Sequence, residues 1–128
     1  AHKLKLWRNY LERRGVRFEI GTPEALRKLK ENNAEGFFEK SHNWETNQAE
    51  RVIYLKGNPS SSVFYEEGIH ALDSLKGRPR DMVLDGKRID AWEYRAKTLL
   101  LDASPKRFSY EEFIWLEREI ALVMDGRY

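Results

Sequence analysis

The chain has 128 residues, 41% of them hydrophobic and 12% aromatic, enough to build and bury a core, which excludes a disordered segment. Charged residues make up 34%, but 23 Lys and Arg stand against 21 Asp and Glu, so the net charge of +2 does not by itself demand a nucleic-acid or membrane partner. Without cysteine there is no disulfide framework and no thiolate metal site, and no apolar run approaches the ~20 residues of a membrane-spanning helix.

The opening "AHKLKLW" lacks methionine and reads as part of something longer or processed. Residues 3–14 place Leu4, Trp7 and Leu11 at helical spacing, and Gly15 suits the position just past a helix end. "VRFEI" alternates Val16, Phe18 and Ile20 with Arg17 and Glu19, the pattern of a half-buried strand. "GTPEALRKLKENN" predicts a second helix, with Thr22 at the cap and Pro23 at the first helical position. Residues 34–50 show no clear period and read as loop with a short strand at Phe37–Phe38. "RVIYLK", residues 51–56, is nearly continuous in apolar residues, as a central strand would be.

After the break "GNPSSS", a helix is expected from about Ser62, closed by Gly77. At about 100° per residue, Phe64, Tyr65, Gly68, Ile69, Ala71, Leu72 and Leu75 fall on one side. Glu66, His70 and Asp73 fall on the other, with Glu67 about a quarter turn away. Residues 78–88 form a basic connection in which Asp85-Gly86 can make a tight hairpin turn. A helix is expected over 89–103, with Ile89, Trp92, Ala96, Leu99 and Leu100 inward and Pro105 ending the region. A last helix is expected over 109–126, opened by a Ser109/Glu112 capping box. The sum is one α+β domain over residues 1–128, a small β-sheet with four to five helices.

The chemistry lies in "EEGIH", residues 66–70. Zinc peptidases carry His-Glu-x-x-His on a helix, so that two rings four residues apart reach one metal and the adjacent glutamate activates the bound water. In that frame His70 takes the place of the second histidine, Glu67 that of the base, and Glu66 stands where the first histidine would be. A carboxylate ligates zinc but makes a harder site. A third ligand from another element is needed, and Glu93 in "WEYRA" is the candidate, with the small Ala96 one turn on. The same residues have plainer readings. A Glu/His/Asp stripe opposite an apolar face is what a solvated helix shows, and Asp90-x-x-Glu93 is a capping box.

The run "YEEGIHAL", a Lys-Gly-Arg turn, then "EYRAKTLLLDA" resembles the C-terminal toxin domains of bacterial polymorphic toxins, of the Rhs and contact-dependent inhibition type, over roughly residues 50–124. The resemblance implies a zincin-like helix pair with Glu66, His70 and Glu93 as zinc ligands and Glu67 as base. It implies a metallopeptidase-like hydrolase secreted as the tip of a larger toxin, acting in the target-cell cytoplasm and neutralised by a cognate immunity protein. That partner is expected to be acidic where it meets Arg78–Arg88. Toxin tips are also often nucleases. A metal-independent ribonuclease would use Glu67 or Glu66 with His70 as acid and base, Arg78, Arg80, Lys87, Arg88 and Arg95 to hold phosphate, and Trp44, Tyr65 or Trp92 to stack on bases. A third reading is a non-enzymatic module that blocks a host protein.

Overall fold

A computed structural model describes residues 2–107 and residue 118, with side chains described over 4–102 and at 118. The expected helix over 109–126 lies, but for Arg118, outside the described residues. The fold is α+β, with four helices, a three-stranded mixed sheet and a two-stranded sheet among the described residues. The chain divides into two compact units, residues 1–74 and 75–128.

The first unit is built on β1 (Val16–Ile20), β2 (Gly36–Asn43) and β3 (Gln48–Leu55), in the order β1-β3-β2. The apolar run of β3 makes it central, as its composition predicts. It lies parallel to β1 and antiparallel to β2, with Ile53 opposite both Phe18 and Phe38. Between β1 and β2 runs α2 (Pro23–Glu31), capped as expected: the Thr22 side chain accepts a hydrogen bond from the Ala25 amide at 3.1 Å.

Alternation along β3 sends its side chains to two different layers. Val52 and Tyr54 pack with Ala25 and Leu29 of α2, joined by Ala34 and Phe37. Ile53 and Leu55, fully buried, face the other way. On that other side α3 (Ser61–Leu75) lies close: Phe64 stacks on Phe18 at 5.4 Å, and Arg51 donates to the Ser74 hydroxyl at 3.0 Å. Against α3 also rests α1 (His2–Glu12), whose Trp7 lies 6.1 Å from Tyr65 and stacks on Tyr10 at 5.8 Å.

Two glycines permit this closeness. At Gly36 a Cβ would come within 2.6 Å of a Val63 methyl and 2.9 Å of Glu67 Cγ. At Gly68 it would fall on the indole ring of Trp7.

The second unit opens with a hairpin of β4 (Asp81–Leu84) and β5 (Lys87–Asp90). Its turn residues Asp85 and Gly86 have φ of 50° and 77°, the backbone that Asp-Gly favours in a two-residue turn. Asp90 then caps α4 (Ala91–Arg107), accepting from the Glu93 amide at 3.0 Å. Trp92 anchors the chain before the hairpin by donating to the Arg78 carbonyl at 3.0 Å, with the Arg80 guanidinium over its ring.

Three expectations are corrected. Residues 34–50 are not loop: they carry all of β2 and the start of β3. The alternation of apolar residues is missing because both strands run on past the end of β1, where residues 40–50 are mostly exposed and no apolar face is required. Pro105 does not end α4, which continues to Arg107; it removes one amide donor without breaking the helix. Leu99, expected inward, is 42% exposed.

Gly68→Ala is expected to lower stability by about 1–3 kcal/mol, as overpacking does. An ordinary helical glycine would gain by the same change, so a denaturant midpoint that rises would contradict the packing of Trp7 on α3.

A second expectation concerns alkaline pH. Lys28 donates to both oxygens of Glu39 at 2.9 and 3.1 Å, and this hydrogen bonding raises its pKa against the opposing effect of burial. Burial, then the charges of Glu24 and Glu39, raises that of Tyr54. Both groups hold their protons more tightly when folded. Their contribution is complete below the unfolded values and falls as pH rises through and beyond about 10. Urea midpoints measured across that range should decline, and Glu39→Gln should remove part of the decline.

Candidate metal centre

The helix α3 begins where Ser60 caps it, accepting from the Val63 amide at 3.3 Å. Helical spacing puts Glu66 and His70 one turn apart, and Glu66 Oε1 lies 3.8 Å from His70 Nε2. A solvated stripe would leave these groups in water. Instead the Glu66 and His70 side chains are only 10% and 4% exposed. Glu67 is also buried, and Asp73 is wholly so. Several apolar residues of the same helix, Val63, Tyr65, Ile69, Leu72 and Leu75, are less buried than these polar ones.

This distribution is expensive by ordinary solvation. An ionised carboxylate taken out of water loses several kcal/mol even after relaxation, and recovers it only beside cations and donors. Three carboxylates and an imidazole within eight residues of one helix therefore need hydrogen-bond donors, cations or protons close by. The position of Glu67 is set by its neighbour strand, since its Cγ occupies the space that Gly36 leaves open.

In the second unit, the first turn of α4 presents Glu93, 8% exposed. Its Oε2 accepts from Lys97 Nζ at 3.0 Å, and its Oε1 lies 3.9 Å from the Arg80 guanidinium. Lys97 is fully buried. Its spacing to Glu93 is i, i+4, the ion-pair spacing of a helix. That signal was present in "EYRAK" but does not by itself distinguish a buried ammonium from a surface one. The cap expected at Asp90 is present too, but it engages the Glu93 amide and leaves the carboxylate to Lys97.

Glu66, His70 and Glu93 make a buried group that could hold a metal ion. Two carboxylates and one imidazole are an accepted donor set for zinc, three protein ligands being the number a catalytic zinc takes before its open position. The set is harder than one with two histidines and would also accept manganese or iron. Glu67 is outside the group.

The basic residues considered for phosphate are spread over the second unit. Arg80, although half exposed, is already bonded to Asp90 at 3.1 Å. Arg88 sits opposite Val83 in the hairpin and is exposed, as is Arg95 on α4. Arg78 is half-buried at the Trp92 anchor. Comparison of the chain with profiles of known families, with curated proteins and with solved structures finds no match.

The Glu93–Lys97 pair yields a stability test. Lys97→Met leaves a buried carboxylate without its ammonium and should cost about 3–5 kcal/mol. Adding Glu93→Gln should restore most of that loss, because the stranded charge goes with it. A double variant no more stable than the single one, by urea denaturation, would show that the pair is not what holds this part of α4.

Proposed function

We propose that the chain is the toxin domain of an antibacterial effector and acts as a metal-dependent hydrolase, with Glu66, His70 and Glu93 holding zinc and Glu67 serving as base. The observation that carries the reading is the buried Glu66, His70 and Glu93 group, whose donor chemistry suits a catalytic divalent ion. The resemblance of "YEEGIHAL" and "EYRAKTLLLDA" to polymorphic-toxin tips supports the effector role.

Zinc bound there would act as a Lewis acid and lower the pKa of a bound water. The chain's own residues do the remainder. Glu66 and His70 are fixed by one turn of α3, so their relative placement costs little further ordering. Glu67 is rotated about 100° from Glu66 on the same turn, held by contact with β2 at Gly36. Its carboxylate would take a proton from the attacking water and return it to the leaving group. Such a domain would be secreted as the tip of a longer toxin, work in the cytoplasm of the target cell, and be restrained in the producer by an immunity protein. The basic segment from Arg78 to Arg88 suits an acidic partner.

The test uses hydrolysis of RNA and of a protein mixture, each with and without chelator, together with growth of cells expressing the chain without an immunity protein. The proposal expects His70→Ala to abolish toxicity while circular dichroism shows an unchanged fold. It expects Glu67→Gln to retain metal and lose activity by roughly 10²-fold or more, whereas Glu66→Gln loses metal as well. Chelator should stop cleavage. Cleavage of RNA that survives chelator would overturn the metal mechanism in favour of Glu/His acid–base chemistry, and a folded, fully toxic His70→Ala would remove the catalytic role of α3.

A further inference from the structure

The β2–β3 hairpin continues beyond the sheet. Only Arg51–Leu55 of β3 pair with β1, while residues 36–43 and 48–55 pair with each other along their whole length. The end of this ribbon is an arm of exposed residues tipped by Trp44, which is 85% exposed. A tryptophan held this far into water on an ordered element adds almost nothing to the burial that stabilises the fold.

The arm is ordered at its tip. The Asn43 side chain accepts from the Glu45 and Thr46 amides at 2.9 and 3.3 Å, and Asn47 takes φ of 59°. The Trp44 ring stands edge-on to His42 at 4.3 Å, and His42 Nε2 is 3.0 Å from Asn47 Oδ1. The two rings are thus presented together.

Charge is sorted between the two faces of the ribbon. Cross-strand partners share a face, and alternate residues change face. Lys40 opposite Arg51 and His42 opposite Ala49 therefore lie on the face of Gly36, Phe38, Ile53 and Leu55, the one on which α3 packs. Glu39, Ser41 and Asn43 lie on the opposite face with Gln48, Glu50 and Val52, toward α2. There Glu39 is bonded to Lys28 and Glu50 to Asn43. Lys40 and Arg51 are like charges directly opposed across two strands, an arrangement that is destabilising alone. Among the described residues neither has a carboxylate partner, unlike Lys28, Lys56 and Arg27 of the same unit. A basic face with one exposed aromatic ring is complementary to a chain of phosphates and flat bases.

We propose that the β2–β3 arm binds single-stranded nucleic acid, with a base stacked on Trp44 and the backbone phosphates drawn to the exposed Lys40, beside which the half-buried Arg51, its Nε given to Ser74, adds positive charge. Ala49 across from His42 leaves that face of the arm low, so a strand can lie along it. The same face leads to α3, so a bound strand would run toward the helix that carries Glu66, Glu67 and His70. The inference does not rest on the metal reading, because stacking and phosphate attraction need no ion and no cleavage.

The test is a fluorescence titration of the whole chain at low salt with an oligothymidylate of roughly ten nucleotides, which a ribonuclease cannot cut, and in parallel with polyglutamate. The expected result is saturable quenching by the oligonucleotide. Trp44→Ala should weaken binding by at least about fivefold, followed by fluorescence anisotropy of a labelled oligonucleotide. Lys40→Gln should lower the slope of log affinity against log salt by about 0.7. Both residues are exposed, so their loss leaves the core intact. Absence of saturable binding, or binding that Trp44→Ala leaves unchanged, would overturn the proposal. Preference for polyglutamate with the same Trp44 dependence would also overturn it and assign the arm to an acidic protein.

Discussion

Burial of charge on α3 is the constraint on which the rest of the first unit depends. Glu66, Glu67, His70 and Asp73 are all nearly or fully out of water, along a helix whose remaining buried side chains are few and small apart from Phe64. Folding that helix cannot be driven by apolar burial on that face. The surrounding structure must supply the driving force, and it does so through the sheet: Phe18, Ile53 and Leu55 make the apolar contact, and Phe64 carries it onto α3. Burying side chains of this size contributes about 1.5–3 kcal/mol each, comparable with the loss of solvation for one carboxylate. A polar helix retained at that cost is more economically explained by a site than by stability.

The same constraint explains where the chain uses small residues. Gly36 and Gly68 both lie where a Cβ would strike a neighbour, one beside Glu67 and the other beneath Trp7. Each lets an element approach α3 closely, Trp7 on the side away from Glu66 and His70 and the strand β2 beside Glu67. The second unit repeats the theme by other means. Its α4 buries an ion pair, Glu93 with Lys97, so that the charge introduced into the interior is matched within one helical turn.

Much of this was legible in the sequence, for identifiable reasons. Thr22-Pro23, Asp85-Gly86 and Asp90 are local signals, and each does what its chemistry predicts because capping and turn geometry need only adjacent residues. The central position of β3 followed from its unbroken apolar run, since only a strand covered on both faces can be apolar throughout. The helical rotation also grouped Glu66, His70 and Asp73 correctly, but rotation alone cannot say whether such a face meets water or protein. That depends on contacts distant in sequence. The arm of residues 40–50 was missed for the opposite reason: its strands are held by pairing with each other and carry no core face to betray them. Lys97 was passed over because an i, i+4 ion pair reads the same at the surface and in the interior.

The central proposal is that Glu66, His70 and Glu93 hold a metal ion. Metal analysis of the natively purified protein, followed by zinc titration of the chelator-stripped chain, tests it most directly. About one equivalent of a divalent transition metal per chain is expected, bound more weakly as pH falls and the ligands take up protons, and lost in His70→Ala. A chain that purifies without metal and shows no saturable zinc binding after stripping would contradict the account, and would leave the buried stripe of α3 to be explained by protein charges alone.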